Sequence, residues 1–218
     1  MSYNVHYCGP MNVLDSVNLE VGGTGAIVIS QVESQAFNLG NQMNYKSSGG
    51  QIYRTFAGIM GQMPKFASVT ECLGQFLTAF GVEGKVLTTG LEQYNTVNDA
   101  TSGKRGSGSV HEKLAFVKCL VIPRSLSCSH KGIAKLSFDV IGISSDGTTS
   151  PVTLTAAVAL PTIAGVTEQF TLGGVKLNGT FLDGIQDVTI DFGCKEMMKS
   201  GGADVYPKLA CLTAIEPK

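Results

Sequence analysis

The stretch GGVKLNGTFLDGIQDVTIDFGCKEMMKSGGADVYPKLACLTAIEP, Gly173 to Pro217, decides the fold. Val175 and Leu177 precede an Asn178-Gly179 pair, and Phe181 and Ile185 follow it. Asn-Gly between apolar runs signals a hairpin, because both residues accept the positive φ of a tight turn. Asp183-Gly184 marks a second turn. Gln186, Val188, Ile190 and Phe192 then alternate with Asp187, Thr189 and Asp191. Period two predicts a strand with one apolar face and one wet face. Gly201-Gly202 breaks the chain before Tyr206-Pro207 and a last apolar segment, Leu209 to Ile215. Nothing in this stretch is catalytic chemistry. It reads as sheet, built to be paired and packed.

Further strands are expected upstream. Ala134, Leu136, Phe138 and Val140 alternate with Lys135, Ser137 and Asp139, and Val152 to Leu160 alternates until Pro161. Lys113 to Ile122 is nearly all apolar, as in a strand covered on both faces, and Pro123 is expected to end it. Ala26–Val32, Gln51–Met60 and Lys85–Tyr94 are strand-like. Residues 33–50 are polar and read as a long loop or a weak edge strand. One helix is expected, over 68–80. Ser68 and Glu71 have capping-box spacing, and Val69, Cys72, Leu73, Phe76, Leu77 and Phe80 form one apolar stripe before Gly81. Turn signals space the strands as in a sandwich or barrel. The expected fold is mainly β (α+β), a β-sandwich or open barrel with one flanking amphipathic helix. Residues 1–218 read as one domain.

Residues 95–109 (NTVNDATSGKRGSGS) hold almost no apolar side chain. Such a segment cannot bury enough surface to order itself. It is either a surface loop or an arm that orders on a neighbouring subunit, with Asn98, Lys104 and Arg105 as its contact residues.

The 218 residues suffice for a real core. Sixteen basic and seventeen acidic residues leave a net charge of −1, which argues against a surface dedicated to nucleic acid. Charged residues are only 15% of the chain against 43% hydrophobic, so much surface is expected to be covered, as between subunits. The six cysteines form no CxxC and read as reduced core residues. The first residues, MSYNVHYCGP, show neither a secretory signal nor a membrane span, and the expected site of synthesis is a reducing cytoplasm.

No catalytic motif stands. Gly84-Lys85 and Gly103-Lys104 both lack the phosphate-loop spacing, and no G-x-S-x-G elbow exists. Cys128-Ser129-His130 and His6-Tyr7-Cys8 each lack the other half of a zinc site and read as ordinary strand or loop residues. Asp183, Asp187, Asp191 and Glu196 read as a solvated face rather than an acid–base cluster. Asn178-Gly179-Thr180 fits a sequon but reads as a hairpin turn. No cofactor, no metal and no enzyme activity are expected.

The order of features resembles the tail tube (major tail) proteins of long-tailed bacteriophages. Three places carry the resemblance. They are the Ser68–Gly81 helix with its following loop; His111 to Pro123 leading to Ala134–Ser137 and on to Ala159-Leu160-Pro161; and Phe170–Gly173, Val175–Gly179, Gly184–Gly193 and Val205–Pro207. The likeness covers roughly residues 68–217. It implies a virion protein, assembled in the host cytoplasm, whose six copies join their sheets into a ring. Rings stack into the tube through which the genome leaves. The implied partners are further copies, tape measure, terminator and baseplate proteins, and DNA in transit, with no membrane insertion. In such a ring Asp187, Thr189 and Asp191 would face the lumen, where acidic walls repel phosphate. Residues 95–109 would touch the next ring, so deleting 97–108 should leave a folded subunit that forms no tubes. The alternatives are another tail component of the same fold, or a stand-alone β-sandwich binding module. The absence of Trp and the six Tyr weigh against a binding module.

Overall fold

The computed structural model describes residues 5–13, 27–29, 31–47, 49, 53, 56–98, 110–162 and 169–217. The protein is mainly β: among the described residues there is 57% strand, one short helix, several antiparallel sheets and no closed barrel. The strands are β1 (Val5–Val13), β2 (Ile27–Ile29), β3 (Val32–Asn38), β4 (Gln42–Lys46), β5 (Phe56–Gly61) and β6 (Lys65–Thr70). After helix α1 (Leu73–Phe80) come β7 (Lys85–Leu87), β8 (Leu91–Asn98), β9 (His111–Phe116), β10 (Cys119–Ser129), β11 (Lys135–Gly142) and β12 (Val152–Val158). The C-terminal part adds β13 (Val175–Leu177), β14 (Thr180–Leu182), β15 (Asp187–Asp191), β16 (Cys194–Lys199) and β17 (Leu209–Ile215).

A five-stranded sheet runs β12-β9-β8-β1-β2. A six-stranded sheet runs β15-β10-β11-β6-β3, with β7 on β10 beyond the end of β15. Hairpins β4–β5, β13–β14 and β16–β17 stand apart from both. The two large sheets meet through Phe66 of β6 and Phe116 of β9, both buried, with ring centroids 6.3 Å apart. The helix lies on the six-stranded sheet, where Phe76 meets Phe138 at 4.8 Å. Each such ring taken fully from water contributes roughly 1.5–3 kcal/mol.

The helix is shorter than its spacing predicts. Ser68 is not an N-cap: it lies in β6, where Phe66, Ser68 and Thr70 are the buried alternation, and its hydroxyl donates to Ser34 O at 2.7 Å. The bend from β6 into the helix is held by Thr70, whose Oγ1 accepts the Cys72 N–H at 3.0 Å, and no side chain caps the first turn. The apolar stripe stands in part: Cys72, Leu73, Phe76 and Phe80 are buried, joined by Ala79, but Leu77 is exposed and Val69 lies in β6, and Gly81 at φ +64° ends the helix.

Lys113–Ile122 is not one strand. Its two halves enter different sheets, β9 in the five-stranded and β10 in the six-stranded one. The crossing is at exposed Val117, between buried Phe116 and Cys119. Pro123 does not end β10. It sits at a register shift between Pro123 and Ser125, where a missing N–H costs no ladder bond. Residues 33–50 hold β3, an edge strand, and β4. The Asn178-Gly179 turn is as expected, with φ +48° and +83° between paired Leu177 and Thr180.

Candidate assembly surface

Strand β15 lies at an edge of the six-stranded sheet and, among the described residues, is paired only with β10. Asp187, Thr189 and Asp191 stand opposite Ser129, Ser127 and Ser125, so the pleat gives all six one face. The three expected lumen residues are therefore together, and all are exposed. Ser125 and Ser137 hydrogen-bond across β10 and β11 at 2.7 Å, and the row continues through Val69 to Ser34. Ala67 and Ala36 lie beside it. This face carries small, hydroxylated and acidic side chains. Lys135, its cation at that end, is bound by both carboxylate oxygens of Glu33, at 2.7 and 2.8 Å.

The opposite face of β15 is less covered than its alternation predicts. Val188 is half-buried, but Ile190 is 41% exposed because no strand flanks it among the described residues. At the other edge, Phe37 of β3 is also 41% exposed. It opens a cleft of about 260 Å³ with Phe66, Leu114, Leu154, Gln35 and Asn95.

One end of the small-residue face is covered by the β16–β17 hairpin. Cys194 and Ala210 of the hairpin join the core. Arg124 pins it: Nε donates to Asp139 at 2.5 Å, Nη1 to Cys194 O at 2.9 Å, and both Nη atoms to Glu196. Lys65 completes the cluster on Asp139 at 2.8 Å. The guanidinium holds the Glu196 carboxyl below the usual carboxylate range. Glu196 is thus an anchor, set apart from Asp187 and Asp191. Neither this cluster nor the Glu33–Lys135 pair has a local signal, since their partners lie 72 and 102 positions apart.

Asn98 closes β8 opposite Val5, so residues 95–98 of the expected loop are strand, and residues 99–109 lie outside the described residues. Lys104 and Arg105 lie outside the described residues. Val97 is buried, and its N–H donates to His111 Nδ1 at 3.1 Å. A deletion of 97–108 would cut this strand, so 100–108 is the segment to remove. Cys128 faces Val188, and burial pushes its thiol up, while His130 is exposed. Cys72, Cys119, Cys128, Cys194 and Cys211 are free thiols, the first two and Cys194 buried.

No known protein family matches the chain. No curated protein matches it either.

Proposed function

We propose that this chain is a structural virion protein whose copies join edge to edge into rings that stack as a phage tail tube, the conduit for the genome. One observation carries the reading. Among the described residues the six-stranded sheet is open at both edges, each edge leaves a large apolar side chain exposed, and the sheet's free face is mostly small, hydroxylated and acidic, with its lysines ion-paired. Open edges are templates for strand pairing, and ring closure satisfies them. A wall of serine, threonine and aspartate offers passing DNA no aromatic stacking, and the lysines on the same face, Lys65 and Lys135, are each held by a carboxylate.

In finer architectural terms we read the two large sheets as a β-sandwich of tail-tube type, flanked by α1. The partners are further copies of the chain and the other proteins of a tail, with DNA only in transit. The work is mechanical and needs no cofactor. Light scattering over a concentration series tests the reading. Masses rising to a closed multiple of 22.9 kDa support it, and a 22.9 kDa species at every concentration contradicts it.

A further inference from the structure

Strand direction in the six-stranded sheet constrains how two copies can join. The pairings β3–β6, β6–β11, β11–β10 and β10–β15 are all antiparallel. Four reversals return the chain to its starting sense, so the two edge strands, β3 and β15, run in the same direction. In a closed ring every copy is related to the next by rotation about one axis, which preserves that sense. A contact of one copy's β15 with the next copy's β3 is then parallel. A two-fold dimer, β3 on β3 or β15 on β15, would be antiparallel.

Asp187 and Asp191 are exposed and make no ion pair among the described residues. Parallel pairing brings Asp191 to the Asn38 end of β3 and Asp187 to the Glu33 end, where Lys135 already holds Glu33. The apolar sides match: Ile190 and Phe37 lie at the two edges, on the face that carries the core, and each is completed by one more strand.

We infer that a second copy of this chain docks on β3 through its β15, in parallel, with Asp191 toward Asn38. This inference rests on the ring reading and adds to it the identity and polarity of the seam.

The test is a cysteine scan of the full chain. Ser34→Cys, Ala36→Cys and Asn38→Cys are each mixed with Asp187→Cys, Thr189→Cys or Asp191→Cys, then oxidised and run on non-reducing gels. All six positions are exposed and share the small-residue face. Neighbouring strands lie about 4.7–4.9 Å apart, within disulfide reach. Wild-type chain, with half-buried Cys128 and Cys211, sets the background. In the parallel seam the cross-linked partner moves from Asp187 toward Asp191 as the cysteine moves from Ser34 toward Asn38. Movement in the reverse order, or strong dimers from a single variant alone, overturns the inference. Rings seen by electron microscopy without any cross-link also overturn it and leave the ring reading standing. An absence of oligomers at any concentration removes both.

Discussion

Arg124 grips Glu196 through two hydrogen bonds, Nη1 to Oε2 at 3.0 Å and Nη2 to Oε1 at 2.7 Å. The same guanidinium reaches Asp139 at 2.5 Å, so one side chain ties β10, β11 and β16 together. The side chains are 28%, 21% and 11% exposed, which takes this cluster out of the class of surface pairs. Arg124→Met would leave two largely buried carboxylates with Lys65 as their remaining cation. The expected loss is about 3 kcal/mol, near the lower end for a buried charge left without its partner. Urea unfolding measures it. A loss under about 1 kcal/mol would place the cluster with exposed pairs after all.

Acid should weaken the fold through identifiable groups. Arg124 depresses the Glu196 carboxyl, and the Thr149 N–H and hydroxyl lead the bonds that hold Asp146 far below its ordinary range. A depressed carboxyl stabilises the native state above its unfolded pKa, and that contribution fades as pH falls through the folded value. The urea midpoint should therefore fall between about pH 5 and about pH 2. Glu196→Gln and Asp146→Asn should each flatten the decline. An unchanged slope in both would assign the acid sensitivity elsewhere.

Two backbone positions should respond in opposite directions. Ala157 sits at φ +57° beside the register shift of β12, a conformation that costs a residue with a Cβ about 1–2 kcal/mol. Ala157→Gly relieves this against a glycine entropy cost of about 0.5–1 kcal/mol, for a net gain of about 0.5–1 kcal/mol. Gly90, at φ +91°, would place a Cβ 1.9 Å from the Phe116 carbonyl oxygen. Gly90→Ala should cost at least about 2 kcal/mol. Thermal unfolding of both variants separates these signs, and a stabilised Gly90→Ala chain would contradict the geometry.

Removing residues 100–108 should preserve the fold, because β8 with its buried Val97 ends at Asn98 and His111 begins β9. The shortened chain is expected to keep the wild-type thermal midpoint and to form no tubes. Tubes of normal length from it would dismiss the segment as a contact between rings.

Period and turn chemistry made much of this fold legible. The Asn178-Gly179 hairpin, the Asp187–Asp191 strand and the apolar stripe of α1 each follow from residues within one turn or one strand. The misreadings arose where distant pairing overrides local signal. Ser68 looks like a cap, but β3 and β11 recruit it into a strand. Pro123 looks like a stop, but a register shift absorbs it. Cys194–Lys199, apolar only at Cys194, Met197 and Met198, becomes a strand because β17 pairs with it and Arg124 anchors it. On the candidate surface, the face shared by Asp187, Thr189 and Asp191 was readable from alternation. The serine row opposite them was not, since it depends on a register between segments some 60 residues apart, such as Thr189 and Ser127.

Negative-stain electron microscopy of the purified full chain, over a range of concentrations, tests the central claim most directly. Hollow rings of identical subunits are expected, and stacks of them as concentration rises, with the β15–β10–β11–β6–β3 sheet around the opening. Compact particles without a central opening, or two-fold dimers at every concentration, would contradict it.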